Sequence, residues 1–194
     1  ALVSTISTYT SAFSYESLGF SRTMQRMYVA YDDGATKSID AWDSAGTLLD
    51  TWTTTIAFFI QHVAVNADES ILYYAHGGVS TILRWDLVND VALADLVADT
   101  AGYQMQDLLY LEDDTIIGLF HQEATTPRDV YVKQFSTAGA TLNTYQFGDV
   151  WRSDFNPPRM GFSLDSPDSF WVVLKPESAF EVSEFRNILI SDGS

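Results

Sequence analysis

The chain has 194 residues, with 26 acidic side chains against 10 basic ones, a formal net charge of −16, and no cysteine. An apolar share of 46% is too high for a disordered chain, and a length near 200 residues buries roughly 70% of the unfolded surface without a covalent staple. The composition excludes a disulfide framework, a thiol nucleophile and cysteine-ligated zinc, and an isoelectric point near 4.2 opposes nucleic acid and anionic lipid as partners. The acidity is biased, with 19 Asp to 7 Glu, which reads either as an ordinary acidic surface or as adaptation to high salt.

In chain order, the pattern is one of short β-branched and aromatic runs divided by Gly, Asp, Asn and Pro. Residues 18–21 and 27–29 predict a first strand pair. Residues 39–43 and 47–49 predict a second, across the turn Ser44-Ala45-Gly46. The layout recurs at 62–65 with 71–73 across Asn66-Ala67-Asp68-Glu69, and at 82–86 with 91–93 across Val88-Asn89-Asp90. The stretch 90–96 is read as strand although one or two helical turns would also suit it. A third copy runs through 107–111, 116–117, 132–135 and 140–142, with turns at Glu112-Asp113-Asp114 and Ser136-Thr137-Ala138-Gly139. A fourth follows at 160–163, 170–173 and 188–190, and Leu18-Gly19-Phe20-Ser21 returns there as Met160-Gly161-Phe162-Ser163. Asn, Asp and Pro suit the first turns of the second, third and fourth copies, at 66–69, 112–114 and 165–168, and the second turns need residues that tolerate positive φ: Gly46, Asn89 or Asp90, Gly139 and Gly193.

The fourth copy lacks its last strand. Reading Ser194 on into Ala1 supplies it, since 193–194 followed by 1–6 matches the turn and strand at 46–49. The expectation is therefore an all-β, single-domain chain over 1–194. It is a four-bladed ring with blades at about 18–53, 62–97, 107–147 and 160–190, the last completed by 1–8. The start, Ala-Leu-Val-Ser, has neither an initiator Met nor the shape of a signal peptide, and reads as the beginning of a processed or excised piece.

With Trp42-Asp43 and Trp85-Asp86 closing the third strand of two copies, and 64–73 worded like an inner hairpin, the chain resembles the β-propeller repeat families of WD40-like, NHL-like and YVTN-like blades. Blades worded like these are also similar to repeats in uncharacterised phage and environmental proteins. The resemblance implies a propeller and says little about activity.

In such a topology the links between copies and the ends of the second strands share one face. That face gathers His62, His76, His121 and Arg159, with Phe59, Tyr103 and Trp151 as aromatic candidates for stacking on a sugar or anchoring a protein. Three histidines on separate blades are read as loop residues, and no metal site is assigned. Calcium is considered for Asp32-Asp33, 112–114 and Asp165 with Asp168, but none matches a calcium loop, and no cofactor is expected. No nucleophile elbow, phosphate loop, His-Glu-x-x-His or dinucleotide fingerprint occurs, so no catalytic residue is assigned. The resulting expectation is a non-enzymatic protein-interaction or structural module, its partner a protein or sister subunit in a virion or cell-surface assembly. The alternative is a carbohydrate-binding domain or glycoside-cleaving enzyme using the same face. Neither nucleic-acid binding nor membrane insertion is expected.

Overall fold

The computed structural model describes residues 14–21, 25–54, 56, 60–76, 80–97, 103–122, 128–151, 159–162, 169–174 and 184–189. The described residues form β-strands and turns, without a helix. Sheet 1 contains β1 (Ser14–Phe20), β2 (Met27–Asp32), β3 (Lys37–Trp42) and β4 (Leu48–Thr54). Sheet 2 contains β5 (Ile60–Val65), β6 (Ile71–His76), β7 (Thr81–Asp86), β8 (Val91–Ala92) and β9 (Leu96–Val97). Sheet 3 contains β10 (Tyr103–Tyr110), β11 (Thr115–Gln122), β12 (Arg128–Ser136) and β13 (Thr141–Trp151). Sheet 4 contains β14 (Arg159–Phe162), β15 (Ser169–Leu174) and β16 (Glu184–Leu189). Every pairing is antiparallel between sequence neighbours, apart from β9, which pairs with β7 beyond β8.

The turns follow from their residues. Gly46, Asp90 and Gly139 carry the positive φ expected of them, at 84°, 55° and 88°. In the first turn of each of the first three sheets, Gln25, Glu69 and Asp114 adopt φ of 54°, 56° and 60°. The aspartate that ends each Trp-Asp pair opens the next turn. Asp43 Oδ1 accepts the N–H of Ala45 at 2.9 Å and of Thr47 at 2.7 Å, and Asp86 Oδ1 accepts those of Val88 and Asn89, both at 2.9 Å. The strand expected over 90–96 is broken into β8 and β9. Leu93 N–H still bonds the Arg84 C=O at 3.0 Å, residues 94–95 leave the ladder, and Ala94 C=O accepts Arg84 Nε–H at 2.8 Å.

The sheets stack face to face through their first strands, β1 against β5, β5 against β10 and β10 against β14. Three apolar cores fill the gaps. Tyr28, Ala30, Ile39 and Trp52 of sheet 1 meet Ile60, Val63, Val65 and Tyr74 of sheet 2. Tyr73, Ala75 and Ile82 meet Met105, Leu108, Tyr110 and Phe120. Ile117, Leu119, Val130 and Val132 meet Phe170 and Val172. Alternation along each strand sends successive residues to opposite cores, which is why sheets 2 and 3 read as nearly continuous apolar runs. Among the described residues there is no fourth core between sheet 4 and sheet 1. Residues 1–8, expected to complete the last sheet, lie outside the described residues.

Candidate functional site

The expected binding residues fall in two groups. His62 on β5 and His121 on β11 are 3% and 1% exposed, so neither imidazole stands on the open face where the sequence reading put it. The reason is that both belong to strands packed between two sheets, not to the connecting loops. The backbone puts His76 at the end of β6, Tyr103 at the start of β10, Trp151 at the end of β13 and Arg159 at the start of β14. In an antiparallel sheet these are positions on one edge, the edge where the chain passes to the next sheet. Their side chains and Phe59 lie outside the described residues. Among the described residues no three His, Asp or Glu side chains gather as a metal site.

Polar clasps tie the stack together, and sequence reasoning missed both that are best defined. A bulge after Tyr15, Ile60 and Met105 in the first strands of sheets 1, 2 and 3 puts Ser17, His62 and Asp107 at equivalent positions. His62 Nδ1 lies 3.8 Å from Asp107 Oδ1, while Asp107 Oδ2 accepts the N–H of Met160 at 2.8 Å. One carboxylate thus bridges sheets 2, 3 and 4. The second clasp joins sheets 1 and 2 through Glu69, whose side chain is 2% exposed. Its Oε2 accepts the Tyr28 hydroxyl at 3.2 Å and lies 2.7 Å from Arg26 Nη1. Burial, and then the Glu69 charge, push the Tyr28 phenol far above its ordinary value. Burial chiefly, with the Asp114 carboxylate accepting its hydroxyl at 2.9 Å, does the same to Tyr110. The only sequence signal for the first clasp is the even spacing of residues 17, 62 and 107 along the chain.

Leu18, Phe20 and Trp171 put exposed apolar side chains at the two ends of the stack, and Leu48, Leu49, Val88, Val91 and Leu142 put others on the later strands and turns of sheets 1 to 3. Cross-strand pairing makes Gly19–Tyr28, Ala64–Tyr73, Leu109–Ile117 and Gly161–Trp171 equivalent pairs. Tyr28, Tyr73 and Ile117 are sealed by the following sheet at 1%, 1% and 0% exposure, whereas Trp171 is 37% exposed. Sheet 1 shows the converse. Leu18 and Phe20 are 51% and 57% exposed, while the equivalent Val63, Val65, Leu108 and Tyr110 are buried against the preceding sheet. Each sheet therefore has a leading face and a following face. Among the described residues, one of each is left uncovered, at opposite ends of the stack.

No protein-family model and no curated protein matches the sequence. Solved structures share the fold. A luciferin-regenerating enzyme matches over 93% of this chain at 14% identity and a TM-score of 0.60. A hydrazine synthase chain from Kuenenia stuttgartiensis matches over 88% at 11% identity and 0.50. This chain spans only 62% and 60% of the length of those two. At such identities the likeness is one of fold.

Proposed function

We propose that the four sheets are successive blades of a β-propeller, and that the chain is a non-enzymatic module that associates with protein through the apolar ends of the stack. The observation that carries this reading is the exposure of Leu18, Phe20 and Trp171 at positions whose equivalents Val63, Val65, Leu108, Tyr110, Tyr28, Tyr73 and Ile117 are buried. Large apolar side chains left in water are costly, and grouped ones serve as anchors for a partner. The stacking order β1, β5, β10, β14 supports the propeller.

Two measurements test the reading. At low protein concentration, the dye bis-ANS should bind the chain, and Leu18→Lys with Phe20→Lys should weaken that binding with the circular dichroism unchanged. A glycan array should show no hits. Strong glycan binding lost on Trp151→Ala would instead establish carbohydrate recognition at the sheet edge and overturn the association reading.

A further inference from the structure

We infer that the Asp33-Gly34 peptide is a site of spontaneous isoaspartate formation that the folded turn between β2 and β3 holds shut, with the Asp32 side chain as the positioning group that keeps it so.

The chemistry needs no partner. The Gly34 amide nitrogen attacks Cγ of Asp33. A C–N bond forms, a carboxyl C–O bond breaks, and the amide proton leaves with the carboxyl hydroxyl as water. Water then opens the cyclic imide. Opening at the side-chain carbonyl restores aspartate. Opening at the main-chain carbonyl leaves isoaspartate, with one more methylene in the backbone and no change in mass. Glycine hinders this attack least of all following residues, because it has no Cβ. The sequence has two Asp-Gly pairs, 33–34 and 192–193, and the second lies outside the described residues.

Crowding does not protect the site, since a Cβ built at Gly34 meets nothing within 4 Å. Hydrogen bonds do. Gly34 N–H donates to Asp32 Oδ1 at 2.7 Å, so the attacking nitrogen is tied to a carboxylate other than its target. Asp32 is itself fixed. It is buried, its Oδ2 lies 2.7 Å from Lys37 Nζ, and it pairs with Lys37 where the hairpin closes. The target carboxylate reaches past Gly34. Asp33 Oδ1 accepts the N–H of Ala35 at 2.8 Å and of Thr36 at 2.6 Å, and Oδ2 accepts the Thr36 hydroxyl at 2.9 Å. These bonds, those from Thr36 first, also hold the Asp33 carboxyl below the usual carboxylate range, and a carboxylate has no hydroxyl to lose. Both restraints must be undone for attack to occur, and opening of the hairpin undoes both. Conversion is then a lasting mark. The free carboxylate of isoaspartate is the former main-chain carbonyl, so the bonds to Ala35 and Thr36 are not recovered on refolding.

The test is prolonged incubation of the full chain at neutral pH, followed by proteolysis and peptide mapping with fragmentation that separates isoaspartate from aspartate. Mapping by peptide keeps Asp33 apart from Asp192. Native wild type should convert at Asp33 about 10- to 100-fold more slowly than the same chain in guanidinium chloride, the effect of one charge-assisted hydrogen bond that must break before attack. Asp32→Ala, shown by its melting to be folded at the incubation temperature, should raise the native rate about 10-fold or more. Asp32→Asn keeps an acceptor oxygen and should stay close to wild type. Equal rates in the native and unfolded wild type overturn the proposal. A folded Asp32→Ala chain that converts no faster than wild type overturns the role of Asp32. Where Asp32→Ala does not fold, hydrogen exchange of the wild-type Gly34 amide decides. Slow exchange supports the bond to Asp32, and exchange at the rate of an unstructured peptide overturns it.

Discussion

Gly19 stands at a tight approach of sheets 1 and 2, and replacing it with Ala tests the stacking directly. A Cβ built there lies 2.6 Å from the Val63 carbonyl oxygen, 3.2 Å from its carbonyl carbon and 3.3 Å from Cγ1. The obstacle is backbone of a strand held in a ladder on β6, so no rotamer change relieves it. Relief requires β1 and β5 to separate by several tenths of an ångström, which loosens the core of Tyr28, Val63 and Tyr74. Overpacking of this kind costs about 1–3 kcal/mol, and the rigidity of the neighbour puts Gly19→Ala near the upper end. For a chain of this size, that lowers the melting temperature by roughly 6–12 °C. Gly34→Ala is the contrasting case. Gly34 has a φ of 87° and open space around its Cβ position, so Ala there meets dihedral strain of about 1–2 kcal/mol and no clash. Calorimetry gives the two magnitudes, and hydrogen exchange separates the mechanisms. Gly19→Ala should raise exchange across both β1 and β5, Gly34→Ala only around its own turn. A Gly19→Ala chain melting within 1 °C of wild type would refute the close approach of these sheets.

Four further outcomes are expected. Glu69→Ala strands the buried Tyr28 hydroxyl and leaves Arg26 without its carboxylate, and should destabilise the chain by about 2–3 kcal/mol in urea unfolding, with Glu69→Gln recovering part of the loss. Asp107→Ala removes the acceptor for Met160 N–H and should cost about 1–3 kcal/mol, with exchange at Met160 rising most. Acid should destabilise through the turns. Asp32, held down chiefly by Lys37, and Asp33, Asp43, Asp68 and Asp86, held down chiefly by Thr36, Thr47, Ser70 and Asn89, all lie below the ordinary 3.8. Their contribution is complete above the unfolded carboxylate value and is lost as pH falls below about 4 through the folded values, so a melting temperature that does not fall between pH 4 and pH 2.5 would contradict it. At the alkaline end, burial raises Tyr74 to about 12, with Asp95 adding to it. Its stabilising contribution is complete below pH 10 and fades above it, and absorbance at 295 nm should show a tyrosine class that ionises only when the chain unfolds.

The all-β class and the turns were legible because they rest on local chemistry. Gly46, Asp90 and Gly139 each occupy the left-handed conformation that a tight turn demands. The bulges were not legible, since the inserted Glu16, Gln61 and Gln106 have no conformational signature, and their effect is to start each inner strand earlier than its apolar run suggests. His62 and His121 were misplaced for a related reason. A histidine near the end of an apolar run looks like the start of a loop, and only the neighbouring sheet reveals that it is enclosed. The end faces were hidden in plain repetition. Leu18-Gly19-Phe20-Ser21 and Met160-Gly161-Phe162-Ser163 look alike, and nothing in either tetrapeptide tells which one a preceding sheet covers.

The turn aspartates alter what the large negative charge means for the conditions this chain tolerates. Asp33 Oδ1 is bonded to the N–H groups of Ala35 and Thr36 at 2.8 and 2.6 Å, and Asp68 Oδ1 to Ser70 N–H and hydroxyl at 3.0 and 2.7 Å. Asp113 Oδ1 accepts the hydroxyl and N–H of Thr115 at 2.6 and 3.1 Å. Contacts this short lie well inside the screening length of any ordinary buffer. These carboxylates act as acceptors for particular N–H and O–H groups more than as contributors to a diffuse field. Desalting should therefore leave the hairpins standing and protonation should loosen them, so a protein whose composition suggests dependence on brine has turns that respond first to acid.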